Sequence, residues 1–286
     1  MKKKRSSWIY IVLGVMLFSL MTASALPLVG SVVAGKQFAK NSDSEVVVLS
    51  QQELTKLEAE ASGYEKVLTR EPENDTALTG LLNIRLQQKD ILGAIAPLEK
   101  LAKLHLERTE YGVLLAQAKQ QLEDYEGAAS AYKQVLAKFP GDIYALGGIT
   151  NLYLAQELPE RAIALLKKTI RLATAENSSI DQDSVELLLG ELYTNQKRYG
   201  EAVSLYDELA QANQDDFRPV LAKALVLEKQ GNLADAKPIL EKAYIAAPEQ
   251  YKDQIGDEME KLVEEIRKTK EAKATTPASA TKSETK

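Results

Sequence analysis

The chain has no cysteine, one histidine (His105) and one tryptophan (Trp8) among 286 residues. Without cysteine there are no disulfides, no cysteine zinc sites and no thiol nucleophile, and the redox compartment is left open. A single histidine removes most histidine-based metal and acid–base constellations. It stands beside Leu104 and Leu106 near the end of a predicted helix, where an imidazole ordinarily meets exposed helix carbonyls. No glycine-rich phosphate loop and no metal-ligand spacing occurs. Acidic runs such as Glu53, Glu58 and Glu60, or Glu258, Glu260, Glu264 and Glu265, read as solvated helix faces. Neither an enzyme, a resident metal or cofactor, nor a small-molecule substrate is therefore expected. Positive charge is scarce too. The net charge is −5, and setting aside Lys2, Lys3, Lys4 and Arg5 leaves 32 basic residues against 41 acidic, or −9 for the body. Nucleic acid is an unsuitable partner for such a body, because phosphate contacts need clustered Lys and Arg.

What is present begins with an uncharged stretch, Ser6 to Gly35. Trp8–Gly35 as a helix would span roughly 42 Å at 1.5 Å per residue, against the ~20 residues a bilayer core needs. Pro27 bends or ends it, so the expectation is a basic segment 1–7 and a transmembrane anchor 8–35 whose span is about 8–26, followed by a linker 36–49. The rival is a signal peptide cleaved after Ala25, since Ala23-Ser24-Ala25 has the form of a cleavage site. Four basic residues precede the span, and Lys36 and Lys40 follow it. That excess places the N-terminus in the cytoplasm and the repeats on the periplasmic or lumenal side of a single-pass membrane protein.

The body repeats. Ala94, Ala128, Ala162, Ala202 and Ala236 are each followed four residues later by Leu or Tyr, and their spacings are 34, 34, 40 and 34. The longer step coincides with a polar insertion, Asn177-Ser178-Ser179-Ile180-Asp181-Gln182. Twelve residues before each alanine stand Leu82, Ala116, Thr150, Gly190 and Ala224, mostly small. Thirteen before stand Leu81, Leu115, Ile149, Leu189 and, out of pattern, Lys223. Small residues let the two helices of a hairpin approach, and larger apolar ones fill the space between hairpins.

These residues resemble the tetratricopeptide-repeat (TPR) family, most clearly in Leu189-Gly190-x-x-Tyr193…Ala202-x-x-x-Tyr206. The resemblance implies an all-α TPR helix-turn-helix solenoid of five full repeats, 75–108, 109–142, 143–176, 183–216 and 217–250, with N- and C-terminal capping helices behind one transmembrane helix. Departures are the missing family Trp and three missing closing prolines, with Leu106, Thr174 and Gln214 in their places. Ser50-Gln51-Gln52-Glu53 is a capping box opening an N-terminal helix or partial repeat, 50–74. Ile255, Met259, Leu262 and Ile266 recur at helical spacing, giving a C-terminal capping helix 251–268. The tail 269–286 has the composition of a disordered segment.

In this family partners bind along the concave surface lined by the first helices. The resemblance points to Thr79, Asn83 and Gln87, then Gln117, Gln120 and Gln121, then Asn151 and Leu154. It continues with Leu187, Glu191 and Asn195, and with Leu225, Glu228 and Lys229. Primary amides donate and accept, so they suit the main chain of an extended peptide or a helix terminus. Ordinary solvated polar positions are the alternative. The family's carboxylate clamp is not supported: Thr79 and Gly147 stand four before Asn83 and Asn151 where it would place lysine, and Glu110 stands where it needs a base.

A membrane-tethered scaffold or assembly factor holding protein clients is therefore expected, and an exported or inner-membrane periplasmic chaperone-like factor is the alternative. The architecture is similar to small thylakoid TPR proteins of cyanobacteria and plastids, such as those that interact with protochlorophyllide oxidoreductase. That similarity implies photosynthetic complex assembly or chlorophyll synthesis at a thylakoid membrane.

Overall fold

In the computed structural model the described residues are 50–174 and 178–275, and they form twelve helices with no strand among them. In chain order these are α1 (Gln51–Arg70), α2 (Asp75–Gln87), α3 (Ile91–Leu104), α4 (Thr109–Gln121), α5 (Tyr125–Lys138) and α6 (Ile143–Ala155). They continue with α7 (Pro159–Ala173), α8 (Gln182–Asn195), α9 (Tyr199–Ala212), α10 (Phe217–Lys229), α11 (Leu233–Ala246) and α12 (Glu249–Thr275). The all-α, TPR class of fold expected from the sequence is the one observed. The chain divides into two compact units, one ending at Val185 and one beginning at Glu186, inside α8.

The aligned alanines form the buried seam. Ala94, Ala128, Ala162, Ala202 and Ala236 are all fully buried, and the residues four later, Leu98, Tyr132, Leu166, Tyr206 and Leu240, are at most 1% exposed. In the first unit a cluster including Leu78, Leu98, Tyr111, Tyr132 and Ile149 runs through successive hairpins. Aromatic rings fill notches left by glycines: Tyr132 packs on Gly148, and in the second unit Tyr206 packs on Gly190, so that a Cβ at either glycine would meet the ring. Lys223, out of pattern in the sequence, is satisfied by α9, where its ammonium reaches Asp207 at 2.6 Å.

The turn inside each hairpin repeats just as strictly. Lys89, Glu123, Glu157, Lys197 and Gly231 have φ of 58, 60, 59, 58 and 78°. After each, the following N–H donates to a carbonyl five residues back: Asp90 to Arg85, Asp124 to Lys119, Leu158 to Tyr153, Arg198 to Tyr193 and Asn232 to Leu227, all within 2.8–2.9 Å. This is the Schellman closure of a helix C-terminus, which requires a left-handed residue. Asp90 and Asp124 then cap the second helices through the N–H groups of Gly93 and Gly127, at 2.8 and 2.9 Å. Asn74 and Asp142 cap first helices in the same way, through Ala77 and Ala145.

At the N-terminal end the capping box forms, Ser50 Oγ accepting from the Glu53 N–H while the Ser50 N–H donates to Glu53 Oε2. At the other end α12 continues to Thr275, past the expected limit at Lys268. Arg267 bridges Glu264 and Glu271, both at 2.7 Å, which ties the extra turns together. The tail from 276 onward lies outside the described residues.

The expected membrane topology is corrected. Among the described residues no helix is long and apolar enough to cross a membrane. The longest ones, α1 with 20 residues and α12 with 27, carry charges along their whole length, and charge in hydrocarbon is costly. The stretch Trp8–Gly35, the linker 36–49 and the Ala25 cleavage site lie outside the described residues. The single-pass assignment, and with it the cytoplasmic N-terminus and lumenal repeats, is withdrawn.

Candidate partner-binding surface

In the first unit the candidate residues sit on α2, α4 and α6, the first helices of three successive hairpins. Asn83, Gln117 and Asn151 occupy the same register one repeat apart. Their environments differ. Asn151 is exposed, Asn83 is part-exposed, and Gln117 is only 5% exposed with its Oε1 lacking a partner. Gln117 is therefore removed from the contact surface, because a side chain sealed by its neighbours cannot meet a ligand without repacking. Thr79, Gln120, Gln121 and Leu154 are part-exposed and Gln87 is exposed. Together with Asn83 and Asn151 they leave an accessible, amide-rich and largely uncharged surface on α2, α4 and α6.

In the second unit the candidates divide differently. Leu187 is fully buried and Leu225 is 5% exposed, so both are core and not contact residues. Leu187 also supplies a carbonyl that accepts from the Tyr206 hydroxyl at 3.4 Å. Glu191 and Glu228 remain half-buried, and Asn195 and Lys229 are exposed. Burial pushes the Glu191 carboxyl up to about 7, opposed by the Lys229 ammonium. Glu228 is likewise pushed up to about 7, first by burial and then by Glu258 and Glu265. Burial lowers Lys229, with Glu191 opposing. This surface is thus ionic where that of the first unit is amide-rich.

The His105 ring meets carboxylates and not helix carbonyls. The residue caps α3 with its own N–H on the Leu101 carbonyl at 2.9 Å, while its ring pairs with Asp75 and lies 3.6 Å from Glu107. Tyr111 packs below it, with the Arg108 guanidinium 4.4 Å from the ring centroid.

A groove of about 360 Å³ lies between α1, α2 and α3, lined by Leu68, Leu78, Leu81, Pro97, Arg85 and Lys100 among others. Arg85 on its wall is held by Glu58, Glu65 and Asp90 at 3.0, 2.7 and 3.5 Å. Pro97 lies inside α3, where it removes a backbone donor. Among the described residues no group of three or more His, Asp or Glu side chains converges to hold a metal.

Comparison with known proteins follows the same lines. A tetratricopeptide-repeat model matches residues 120–182, and a second such model matches 187–219. No curated protein matches the chain in sequence. Among solved structures, yeast Tom70 is similar over 91% of this chain and 54% of its own, at 12% identity and a TM-score of 0.50. The Cut9-Hcn1 hetero-tetramer of the APC/C is similar over 73% of this chain and 40% of its own, at 17% identity and a TM-score of 0.42. YrrB, described as a TPR protein with an unusual peptide-binding site, is similar over 69% of this chain and 99% of its own, at 14% identity and a TM-score of 0.38. The chain thus spans about half or less of the length of Tom70 and of the Cut9-Hcn1 chain. Proteins of this repeat class are generally non-catalytic and bind protein or peptide partners. With its hairpins, its left-handed turns and its alanine seam in one register, the chain has the tetratricopeptide-repeat solenoid fold, and residues 120–182 and 187–219 match models of that repeat.

Proposed function

We propose that this chain is a protein-interaction scaffold that holds an extended segment of a client protein along α2, α4 and α6, in the manner of an assembly or chaperone-like factor. The observation that carries this reading is the accessible amide surface: Asn83 and Asn151 in one register, with Gln87, Gln120 and Gln121 beside them. An extended peptide presents alternating N–H and C=O groups, and a primary amide answers both from one side chain. A surface without strong charge also imposes little preference on client side chains, which suits main-chain recognition. The ionic surface of α8 and α10 is a separate candidate, with Glu191 and Lys229 as its accessible groups. The expected thylakoid setting has no support in the described residues or among the similar proteins.

The test is binding of peptides selected from a random-sequence library by the wild-type protein. Changing Asn83, Gln120 and Asn151 together to Ala should weaken binding at least tenfold while leaving the helical circular dichroism unchanged. Undiminished binding by the folded triple variant would move the site off this surface.

A further inference from the structure

In the first unit the two helices of a hairpin differ in charge. The first helices α2, α4 and α6 carry two basic and two acidic residues, whereas the second helices α3, α5 and α7 carry eight Lys and Arg against Glu99, Glu126 and Glu160, in a chain of net charge −5. The excess lies in register. Lys100 and Lys168, like Lys103 and Arg171, stand two repeats apart, and all four are exposed. In α5 the matching places are Gln134 and Ala137, with exposed Lys133 and Lys138 beside them. Glu99 is bound by Lys119 at 2.9 Å, so it does not neutralise this face. A cation in the last turn is what a helix C-terminus favours, and that accounts for Lys103, Lys138 and Arg171. Lys100, Lys133 and Lys168 stand a turn or more earlier. Leu104 and Leu172 follow Lys100 and Lys168 by four residues, so they lie beside them on the helix surface, and they are 38% and 43% exposed.

The opposite pattern stands on α12. Tyr251, Ile255 and Leu262 face inward and are buried. Asp253, Asp257 and Glu260 recur at helical spacing on the other side, and all three are exposed. The ion pairs of this helix leave them out: Lys252 binds Glu249, Lys261 binds Glu258, and Arg267 binds Glu264 and Glu271. Glu201 and Asp207 of α9 are by contrast committed, to Arg198 and Lys223. Val263, three residues after Glu260, is 48% exposed. Each face thus sets charge of one sign, outside any ion pair, around an exposed aliphatic side chain.

We propose that the basic face of α3, α5 and α7 is a docking surface for the acidic stripe of α12 on a second copy of this chain. The occupant follows from charge complementarity: one copy presents cations flanked by leucines, and the other presents carboxylates flanked by a valine. The two patches differ, so the contact is heterologous. With 27 residues α12 runs roughly 40 Å at 1.5 Å per residue, enough to meet more than one helix of the basic face. Exposed ion pairs are individually weak and screened by salt, so the association is reversible and strongest at low ionic strength. It engages the second helix of each hairpin and leaves the amide surface on the first helices to a client.

Sedimentation velocity of the full chain over a concentration series, at about 20 mM and about 500 mM NaCl, tests this. At low salt the weight-average mass should rise with concentration above that of one chain, and at high salt the rise should shrink. Two charge-reversal variants divide the interface. One combines Lys100→Glu, Lys168→Glu and Arg171→Glu, and the other combines Asp253→Lys, Asp257→Lys and Glu260→Lys. Each alone should self-associate roughly tenfold or more weakly, with unchanged helical circular dichroism. Mixed in equal amounts they should associate again, because each supplies the face the other lacks. A wild type whose mass is independent of concentration at low salt would overturn the proposal, including one that binds anionic lipid vesicles instead. So would association that persists undiminished in both variants, or that fails to return when they are mixed.

Discussion

The left-handed turns give the sharpest test of the repeat register. Lys89, Glu123, Glu157 and Lys197 hold φ of 58–60° with an ordinary side chain, whereas Gly231 holds 78° at the equivalent place. A Cβ in that region crowds the following carbonyl, at about 1–2 kcal/mol per residue. Glycine avoids this but loses more chain entropy on folding, about 0.5–1 kcal/mol, so the net gain from substitution is about 0.5–1 kcal/mol per site. All four side chains are exposed, so little packing is lost. The turns lie in different hairpins, so the gains should add to about 2–4 kcal/mol for the fourfold Gly variant. The opposite change, Gly231→Ala, should lose about 1 kcal/mol although nothing lies within 4 Å of the added Cβ. Gly200 provides the control: it is helical with equally open surroundings, so Gly200→Ala should gain about 0.5–1 kcal/mol. Urea unfolding followed by far-ultraviolet circular dichroism measures all three. Destabilisation by the fourfold variant, or a gain from Gly231→Ala, would refute the assignment of these turns.

Other expectations rest on single buried positions. Ala128→Phe and Ala202→Phe, each at a fully buried alanine, should cost about 1–3 kcal/mol by overpacking, read as a lowered melting temperature. Thr150 is 2% exposed with a partnerless hydroxyl; Thr150→Val should stabilise by about 1 kcal/mol, and a loss would show that the hydroxyl is satisfied. Glu191, raised to about 7 from 4.5, contributes stability below pH ~4.5 that is lost as pH rises through about 7, so Glu191→Gln should stabilise the second unit by about 1–3 kcal/mol at pH 8 and little at pH 4.5. Urea unfolding at the two pH values decides it.

The fold was legible because its signal is periodic. One small residue per repeat must sit where two helices touch, and Ala128 or Ala202 announces that place without help from its neighbours. The turn residues were not legible in that way. Four of the five left-handed positions carry Lys or Glu, and only their distance from the alanines marks them. The candidate surface was legible as register but not as depth. Asn83, Gln117 and Asn151 are equivalent in the sequence, yet one of them is sealed by neighbouring side chains. Leu187 and Leu225 failed as contact residues for the same reason: which side of a first helix faces inward depends on packing angles that the 34-residue count does not contain. Lys223 shows a second limit, since a charge at a normally apolar place is explained only by a residue on another helix, Asp207. Membrane topology was read from a stretch outside the described residues, and no described helix repeats its apolar pattern.

The central claim is main-chain recognition by the amide surface of α2, α4 and α6. It is tested most directly by measuring affinity for one library-selected peptide and for its singly N-methylated analogues by isothermal titration calorimetry. Methylation removes one backbone donor and leaves every side chain in place. At least two positions should lose tenfold or more in affinity, and the Asn83, Gln120 and Asn151 triple-Ala variant should no longer distinguish those analogues from the parent peptide. Equal affinity of the wild type for the parent peptide and all of its N-methylated analogues would contradict the account.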